Sequence, residues 1–238
     1  VVALLVASCG KEFRDGSSAV TYHYITDTIA ADSSALQFIA PYRDSLNQSM
    51  NKIIGEVVVD LPKGKPESLM GNFFCDALRE QAALYFYQAI DVCVMNYGGL
   101  RIPVVPAGKI TVGKVYELMP FDNFLVLMKV KGSVLQQLLN HVAKEGGWPV
   151  SGTRMKIKDG SAVDVLINNA PLEDNKVYSL LVSDYMADGG DKLEMLKALP
   201  YENSGVFVRD ALIGYIIQQD IAGKMIEAKT EGRIIYAE

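Results

Sequence analysis

The stretch Phe124-Leu125-Val126-Leu127-Met128-Lys129-Val130 reads as a strand of large and β-branched apolar side chains, and the sequence changes period directly after it. From Ser133 to about Glu145 the apolar positions Val134, Leu135, Leu138, Leu139 and Val142 recur at three- and four-residue steps, which is one face of a helix. Ser133 and Gln136 stand in capping-box spacing at its start, each side chain placed to satisfy a free amide. Arg154 to Lys158, the turn Asp159-Gly160 and Ala162 to Ile167 then form a hairpin. Strand, helix and hairpin in succession, without a regular β-α-β rhythm, predict an α+β fold with mixed strand directions.

The pattern extends both ways from this stretch. Toward the C-terminus lie a strand at Val177 to Ser183 and a helix from Val208 to Ile221. Toward the N-terminus, the buried strand Asp91-Val92-Cys93-Val94-Met95 runs into a glycine turn, Asn96-Tyr97-Gly98-Gly99, and is preceded by a helix from Met70 to Tyr87. Before that, Ile54 to Leu61 is strand-like and is stopped by Pro62 and Gly64. Helical spacing begins near Ala35, with Leu36, Phe38, Ile39, Tyr42, Leu46, Met50 and Ile53 recurring at helical steps. No internal repeat or linker interrupts this run, so residues 35–238 are expected to form a single compact domain of mixed β-sheets and packed helices.

The first residues read differently. The apolar run Val1 to Ser8 is too short to cross a bilayer of about 30 Å as a helix. Val6-Ala7-Ser8-Cys9 resembles the lipobox of bacterial lipoproteins, in which small residues fit the signal peptidase and the cysteine thiol receives lipid. On that reading residues 1–9 are the remnant of a signal peptide, Cys9 is the lipidated residue, and residues 10–34 are a polar tether. The protein is then expected in the bacterial cell envelope, periplasm or outer membrane, touching the membrane only through the anchor on Cys9.

Composition narrows the chemistry. Of 238 residues half are hydrophobic and 21% charged, enough apolar material for a substantial core, and the net charge of -5 supplies no broad positive field for nucleic acid. Two histidines and three cysteines cannot assemble a histidine-rich metal site or a disulfide scaffold. His23 falls in the tether and His141 on the polar helix face beside Gln137 and Lys144, so both read as solvated. Cys75 and Cys93 fall in apolar segments, as core thiols or as a disulfide pair. Trp148 reads as a partly buried loop anchor, and Arg154 and Arg209 as surface ion-pairing residues.

Four segments carry groups that small anionic or aromatic ligands need. Asn96-Tyr97-Gly98-Gly99-Leu100-Arg101 joins a tight turn to a guanidinium fork for phosphate oxygens. Met119-Pro120-Phe121-Asp122-Asn123 presents an aromatic ring and an amide ahead of a strand. Asp184-Tyr185-Met186-Ala187-Asp188-Gly189-Gly190-Asp191 places an aromatic and a carboxylate around paired glycines just after a strand, where loops project side chains into sites. Glu67-Ser68-Leu69-Met70-Gly71-Asn72 reads as a helix start whose free amides suit an anion.

In this order and spacing, over about Phe38 to Tyr236, the four segments resemble the C-terminal, substrate-binding domain of the 5'-nucleotidase and UDP-sugar hydrolase family. An MGN- or LGN-type helix start, a GGG-I-R-like turn, a PF-x-N segment and a Y-x-A-x-GGD loop recur there in that sequence. The resemblance implies that Phe121 and Tyr185 face each other across a nucleobase, Asp191 holds the ribose hydroxyls, and Arg101 binds phosphate. It implies that Asn96 and Asn123 contact the nucleotide and that Gly189 and Gly190 keep the loop close to it. Tyr185 stands where many relatives carry phenylalanine. Relatives commonly add an arginine near the MGN turn, where this chain has only Lys63 and Lys65, and Tyr97 replaces a glycine of the usual triple, bringing a ring toward the site.

Complete members of that family carry a dimetal metallophosphoesterase domain ahead of this one, and the residues before Phe38 are too few and too histidine-poor to replace it. The resemblance therefore implies a catalytically silent recognition chain with no metal or other cofactor of its own. Divalent metal ions are expected on a partner metallophosphoesterase to which this chain presents a nucleotide. Two other readings stay open from the sequence: a non-catalytic exported lipoprotein that captures nucleosides or nucleotides, and a domain that has lost its ligand.

Overall fold

The computed structural model describes residues 20–24, 26 and 29–238. The lipobox with Cys9, and the first part of the tether, lie outside the described residues. Two compact units divide the chain, residues 1–43 and 44–238. Helix α1 (Ser33–Met50) crosses that division in sequence; Asp32 caps it, its Oδ1 accepting from the amide of Ala35 at 2.9 Å and the hydroxyl of Ser34 at 2.7 Å. No α1 residue is buried, so Leu36, Phe38, Ile39, Tyr42 and Leu46, spaced as a core stripe, are exposed. His23 is exposed as well. Among the described residues no helix is long and apolar enough to cross a membrane.

The second unit continues with β1 (Ile53–Val57), β2 (Leu61–Pro62), α2 (Leu69–Tyr85), β3 (Val92–Val94), β4 (Val104–Val105), β5 (Gly108–Thr111), α3 (Val112–Leu118), β6 (Phe124–Lys131) and α4 (Gly132–Lys144). It ends with β7 (Val150–Ser151), β8 (Thr153–Lys158), β9 (Ser161–Ile167), β10 (Ala170–Pro171), β11 (Val177–Ser183), α5 (Asp184–Ala187), β12 (Tyr201–Phe207), α6 (Val208–Ile221) and β13 (Ile234–Tyr236). The fold is α+β, with mixed sheets and packed helices, as the alternating periods predict.

A five-stranded sheet in the order β12-β6-β11-β3-β7 forms the centre. Strand β11 is buried from Tyr178 to Ser183, as a central strand covered on both faces must be. It runs antiparallel to β6 and parallel to β3. This arrangement positions the site. Ser183 pairs with Leu125, so the segment entering β6 and the segment leaving β11 emerge at the same end of the sheet. The parallel neighbour β3 exits there too, into the turn at residues 96–101. A second sheet, β10-β9-β8-β13, contains the expected hairpin; β8 alternates strictly, with Thr153, Met155 and Ile157 inward and Arg154, Lys156 and Lys158 outward.

One local signal is overridden. Ser133 and Gln136 do not form a capping box: α4 starts one residue earlier, and Lys131 caps it without a side-chain bond. The amides of Gly132 and Ser133 donate instead to the carbonyls of Lys176 and Asp174, at 2.8 and 3.0 Å. The Gln136 amide is drawn to the carbonyl of Ala162 at 2.9 Å. The connection entering β11 closes over the helix start, so tertiary carbonyls satisfy amides that a local box would otherwise need.

Candidate functional site

Three of the four segments converge on a cavity of about 430 Å³. Asn96, Gly98, Gly99 and Arg101 line it from the turn after β3, Phe121, Asp122 and Asn123 from the loop before β6, and Tyr185 and Asp191 from the segment after β11. Phe121 and Tyr185 remain 41% and 44% exposed, which is high for aromatic rings and leaves their surfaces open to a ligand. Gly189 and Gly190 do not line the cavity.

Asp191 sits in the left-handed region at φ 52°. Its carboxylate accepts from the Asn96 amide at 2.7 Å on one oxygen and from the Tyr185 hydroxyl at 3.1 Å on the other. A carboxylate has about four acceptor positions, so capacity remains for further donors. Asn123 donates to Asp184 Oδ1 at 3.0 Å, and the Tyr185 amide donates to the same oxygen at 2.7 Å, which ties the second segment to the third. The Arg101 guanidinium lies 5.6 Å from the Phe121 ring centre, and among the described residues its one hydrogen bond is a long one of 3.4 Å to the Gly98 carbonyl. Its fork therefore keeps donors for an anion at the cavity edge.

Tyr97 does not intrude on the cavity. Its ring carries the ammonium groups of Lys63, 3.9 Å from the ring centre, and Lys65, at 4.7 Å. Lys63 also donates to the Leu100 carbonyl at 2.7 Å. Burial first, and then the charges of Arg101 and Lys65, push the Lys63 pKa below its ordinary value. Three cations thus gather beside the turn at residues 96–101, a convergence that the spacing of the lysines along the chain does not reveal.

The Glu67–Asn72 segment does not line this cavity, and two of its backbone amides, those of Gly71 and Asn72, already donate to Ser68. Ser68 Oγ accepts from the Gly71 amide at 3.1 Å as the cap of α2. Glu67 accepts from the Asn72 side chain at 2.6 Å and from the backbone amides of Glu231 and Arg233 at 2.8 and 3.1 Å. This start fastens the C-terminal strand to α2, and Arg233 adds bonds of 2.8 and 2.7 Å to the Asp76 carboxylate.

Arg209 is not a surface residue. Its side chain is 7% exposed and lies behind the cavity loop, donating to the carbonyls of Pro120 and Phe121 at 3.3 and 3.5 Å and to Asp122 at 2.8 Å. Its guanidinium packs on the Tyr116 ring, 4.1 Å from the centre. Burial is the largest single influence and opposes the charge, but the bond to Asp122 together with the charges of Tyr116, Asp122 and Asp210 outweighs it, so the Arg209 pKa stands above its ordinary value. The amide of Val208 donates to the Asn123 carbonyl at 2.8 Å, so the start of α6 holds the whole loop. His141 is half-buried and meets the edge of the buried Trp148, with ring centres 5.2 Å apart.

Among the described residues no three His, Cys, Asp or Glu side chains gather closely enough to hold a metal ion. The polar lining of the cavity, side-chain amides, one guanidinium and the carboxylates of Asp122 and Asp191, each already bonded to neighbours, suits a polar organic ligand. Cys75 and Cys93 are buried free thiols.

A family model described as the 5'-nucleotidase C-terminal domain matches residues 52–198. A 5'-nucleotidase from Diplobatis ommata is 29% identical over 247 aligned positions, covering 90% of this chain and 42% of the relative. The protein UshA of Yersinia enterocolitica is 30% identical over 236, covering 94% of this chain and 41% of the relative. The crystal structure of a 5'-nucleotidase precursor from Thermus thermophilus superposes with a TM-score of 0.73 at 30% identity, over 85% of this chain and 43% of that one. The chain spans less than half the length of each of these relatives. The matched residues include all of those lining the cavity and four of the five strands of the central sheet, and on the ground of that match the chain belongs to the family of 5'-nucleotidase C-terminal domains.

Proposed function

We propose that this chain is the nucleotide-recognition part of a 5'-nucleotidase-type phosphohydrolase. One observation carries the reading: segments 96–101, 119–123 and 184–191, remote in sequence, bring two open aromatic rings, two carboxylates, amides and a guanidinium to one cavity. Phe121 and Tyr185 stack on the base, Asp191 accepts from the ribose hydroxyls, Asn96 and Asn123 contact the nucleotide, and Arg101 holds phosphate. Gly189 and Gly190 shape the loop that brings Tyr185 and Asp191 to the ligand.

The hydrolytic step belongs to a metallophosphoesterase on a separate chain, which supplies the divalent metal ions. This chain orients the nucleotide and offers its phosphate to that partner. Export and lipid attachment at Cys9 place the pair in the bacterial cell envelope; nucleic acid is not a ligand, since the net charge is -5.

The test mixes the purified chain with candidate metallophosphoesterase subunits and follows phosphate release from AMP. A gain over either part alone supports the two-chain reading, and no gain with any candidate overturns it. Nucleoside binding without such a gain would assign the chain to capture instead.

A further inference from the structure

The Tyr185 hydroxyl makes two bonds to one residue. It donates to Asp191 Oδ1 at 3.1 Å and accepts from the Asp191 backbone amide at 3.2 Å. A single phenolic oxygen thereby fixes both the backbone and the side chain of Asp191. The residue needs such fixing: at φ 52° and ψ 33° it occupies the left-handed region, which costs a non-glycine residue free energy unless its surroundings enforce it. Asn96 completes the hold at 2.7 Å on the second carboxylate oxygen.

The ring is seated for this purpose. A Cβ on Gly190 would lie 2.5 Å from two ring carbons of Tyr185 and from its carbonyl oxygen, so only glycine lets the phenol reach across to Asp191. With one donor already on each oxygen, the carboxylate keeps about one acceptor position on each, and the pair lies on the cavity wall. Two adjacent acceptors on a carboxylate of fixed orientation match a vicinal diol. They match a sugar with a single hydroxyl at that edge less well.

We infer that the Tyr185 hydroxyl is a specificity-determining positioning group, which aims Asp191 so that the site selects ribonucleosides over 2'-deoxyribonucleosides. The inference rests on the proposed nucleotide site and adds to it the group that aims Asp191 and the discrimination against deoxyribose that this aim produces. Phenylalanine at this position would keep the stacking ring and lose the aim.

Calorimetric titration of the wild-type chain and of Tyr185→Phe with adenosine and 2'-deoxyadenosine, and with the uridine pair, tests it. The wild type should prefer the ribonucleoside of at least one pair by about ten-fold, the scale of a hydrogen bond to a charged acceptor. Tyr185→Phe should lose most of that preference through weaker ribonucleoside binding, with deoxyribonucleoside affinity changed less than about two-fold. In an Asp191→Asn background, Tyr185→Phe should have little further effect on the ratio, which a merely structural tyrosine would not predict. A wild-type preference that survives intact in Tyr185→Phe overturns the inference and leaves the nucleotide site standing. Failure of the wild type to bind any of the four compounds overturns the nucleotide reading and the inference together.

Discussion

Arg209 stands behind Phe121, its guanidinium reaching the Phe121 carbonyl at 3.5 Å while its flat face packs on Tyr116. It also donates to the Pro120 carbonyl and to Asp122, so one buried cation fixes consecutive backbone and side-chain groups of the loop that presents the ring. Arg209→Met fills the same volume and removes every one of these donors. Nucleoside affinity should fall by about ten-fold, whereas folding stability should change by less than about 2 kcal/mol, because the Asp122 side chain left behind is 73% exposed and is solvated rather than stranded as a buried charge. Arg209→Lys should not restore binding, since an ammonium cannot supply a planar fork and stack on Tyr116 together. The deciding measurement is a double-mutant cycle with Phe121→Ala: coupling near zero would show that Arg209 does not act through that ring.

The two aromatic rings should carry much of the affinity. Phe121→Ala and Tyr185→Ala should each weaken nucleoside binding by about 1–3 kcal/mol, the range for one base stacked on an aromatic side chain. Tyr185→Ala should cost more than Phe121→Ala with ribonucleosides, because it also releases Asp191 from the bonds at 3.1 and 3.2 Å. Equilibrium titration of both variants checks this, and unchanged affinity in both would remove the rings from the site.

How much of this was legible in the sequence follows the range of the interactions. Strand β11 and the first strand of the β8–β9 hairpin are readable because burial imposes a largely apolar run on the one and strict alternation on the other. The cavity segments are readable because tight turns and ring-bearing loops leave local marks at Gly98-Gly99, Pro120-Phe121 and Gly189-Gly190. Arg209 is not readable: its partners lie nearly ninety positions earlier, and an arginine at the start of a helix looks like a solvated one. Strand β12 escapes because Glu202, Asn203, Ser204 and Gly205 show no apolar alternation, and its register with β6 is broken between Asn203 and Phe207. The Ser133–Gln136 signal misleads for the complementary reason, a local cap displaced by the carbonyls of Asp174 and Lys176.

Cys75 and Cys93 are both fully buried, on α2 and β3 respectively, and burial first, then the Cys93 side chain, pushes the Cys75 thiol well above its ordinary pKa. A thiol that is both inaccessible and protonated is a poor nucleophile. Reduced protein should therefore react with Ellman's reagent at these positions only as it unfolds, and the rate should rise with denaturant along the unfolding curve. Rapid modification of either cysteine in native buffer would contradict their placement.

Lys63 offers a test that separates phosphate from base recognition. Its lowered pKa means that the fold disfavours its charged form, through burial and through Arg101 and Lys65. The sign follows: the destabilisation is fully present below the folded pKa and is relieved as pH rises from that value toward the ordinary 10.5. An anion bound beside Arg101 would offset the repulsion, raise the Lys63 pKa again, and draw a proton from solution within that alkaline window. Calorimetry in buffers of different ionisation enthalpy should therefore show proton uptake with AMP and none with adenosine. Lys63→Gln should abolish the uptake and weaken AMP binding about three- to ten-fold while leaving adenosine unchanged, and added salt should shrink the AMP advantage through screening. Equal proton uptake for the nucleotide and the nucleoside would show that the phosphate does not sit within reach of the Lys63–Arg101 charges.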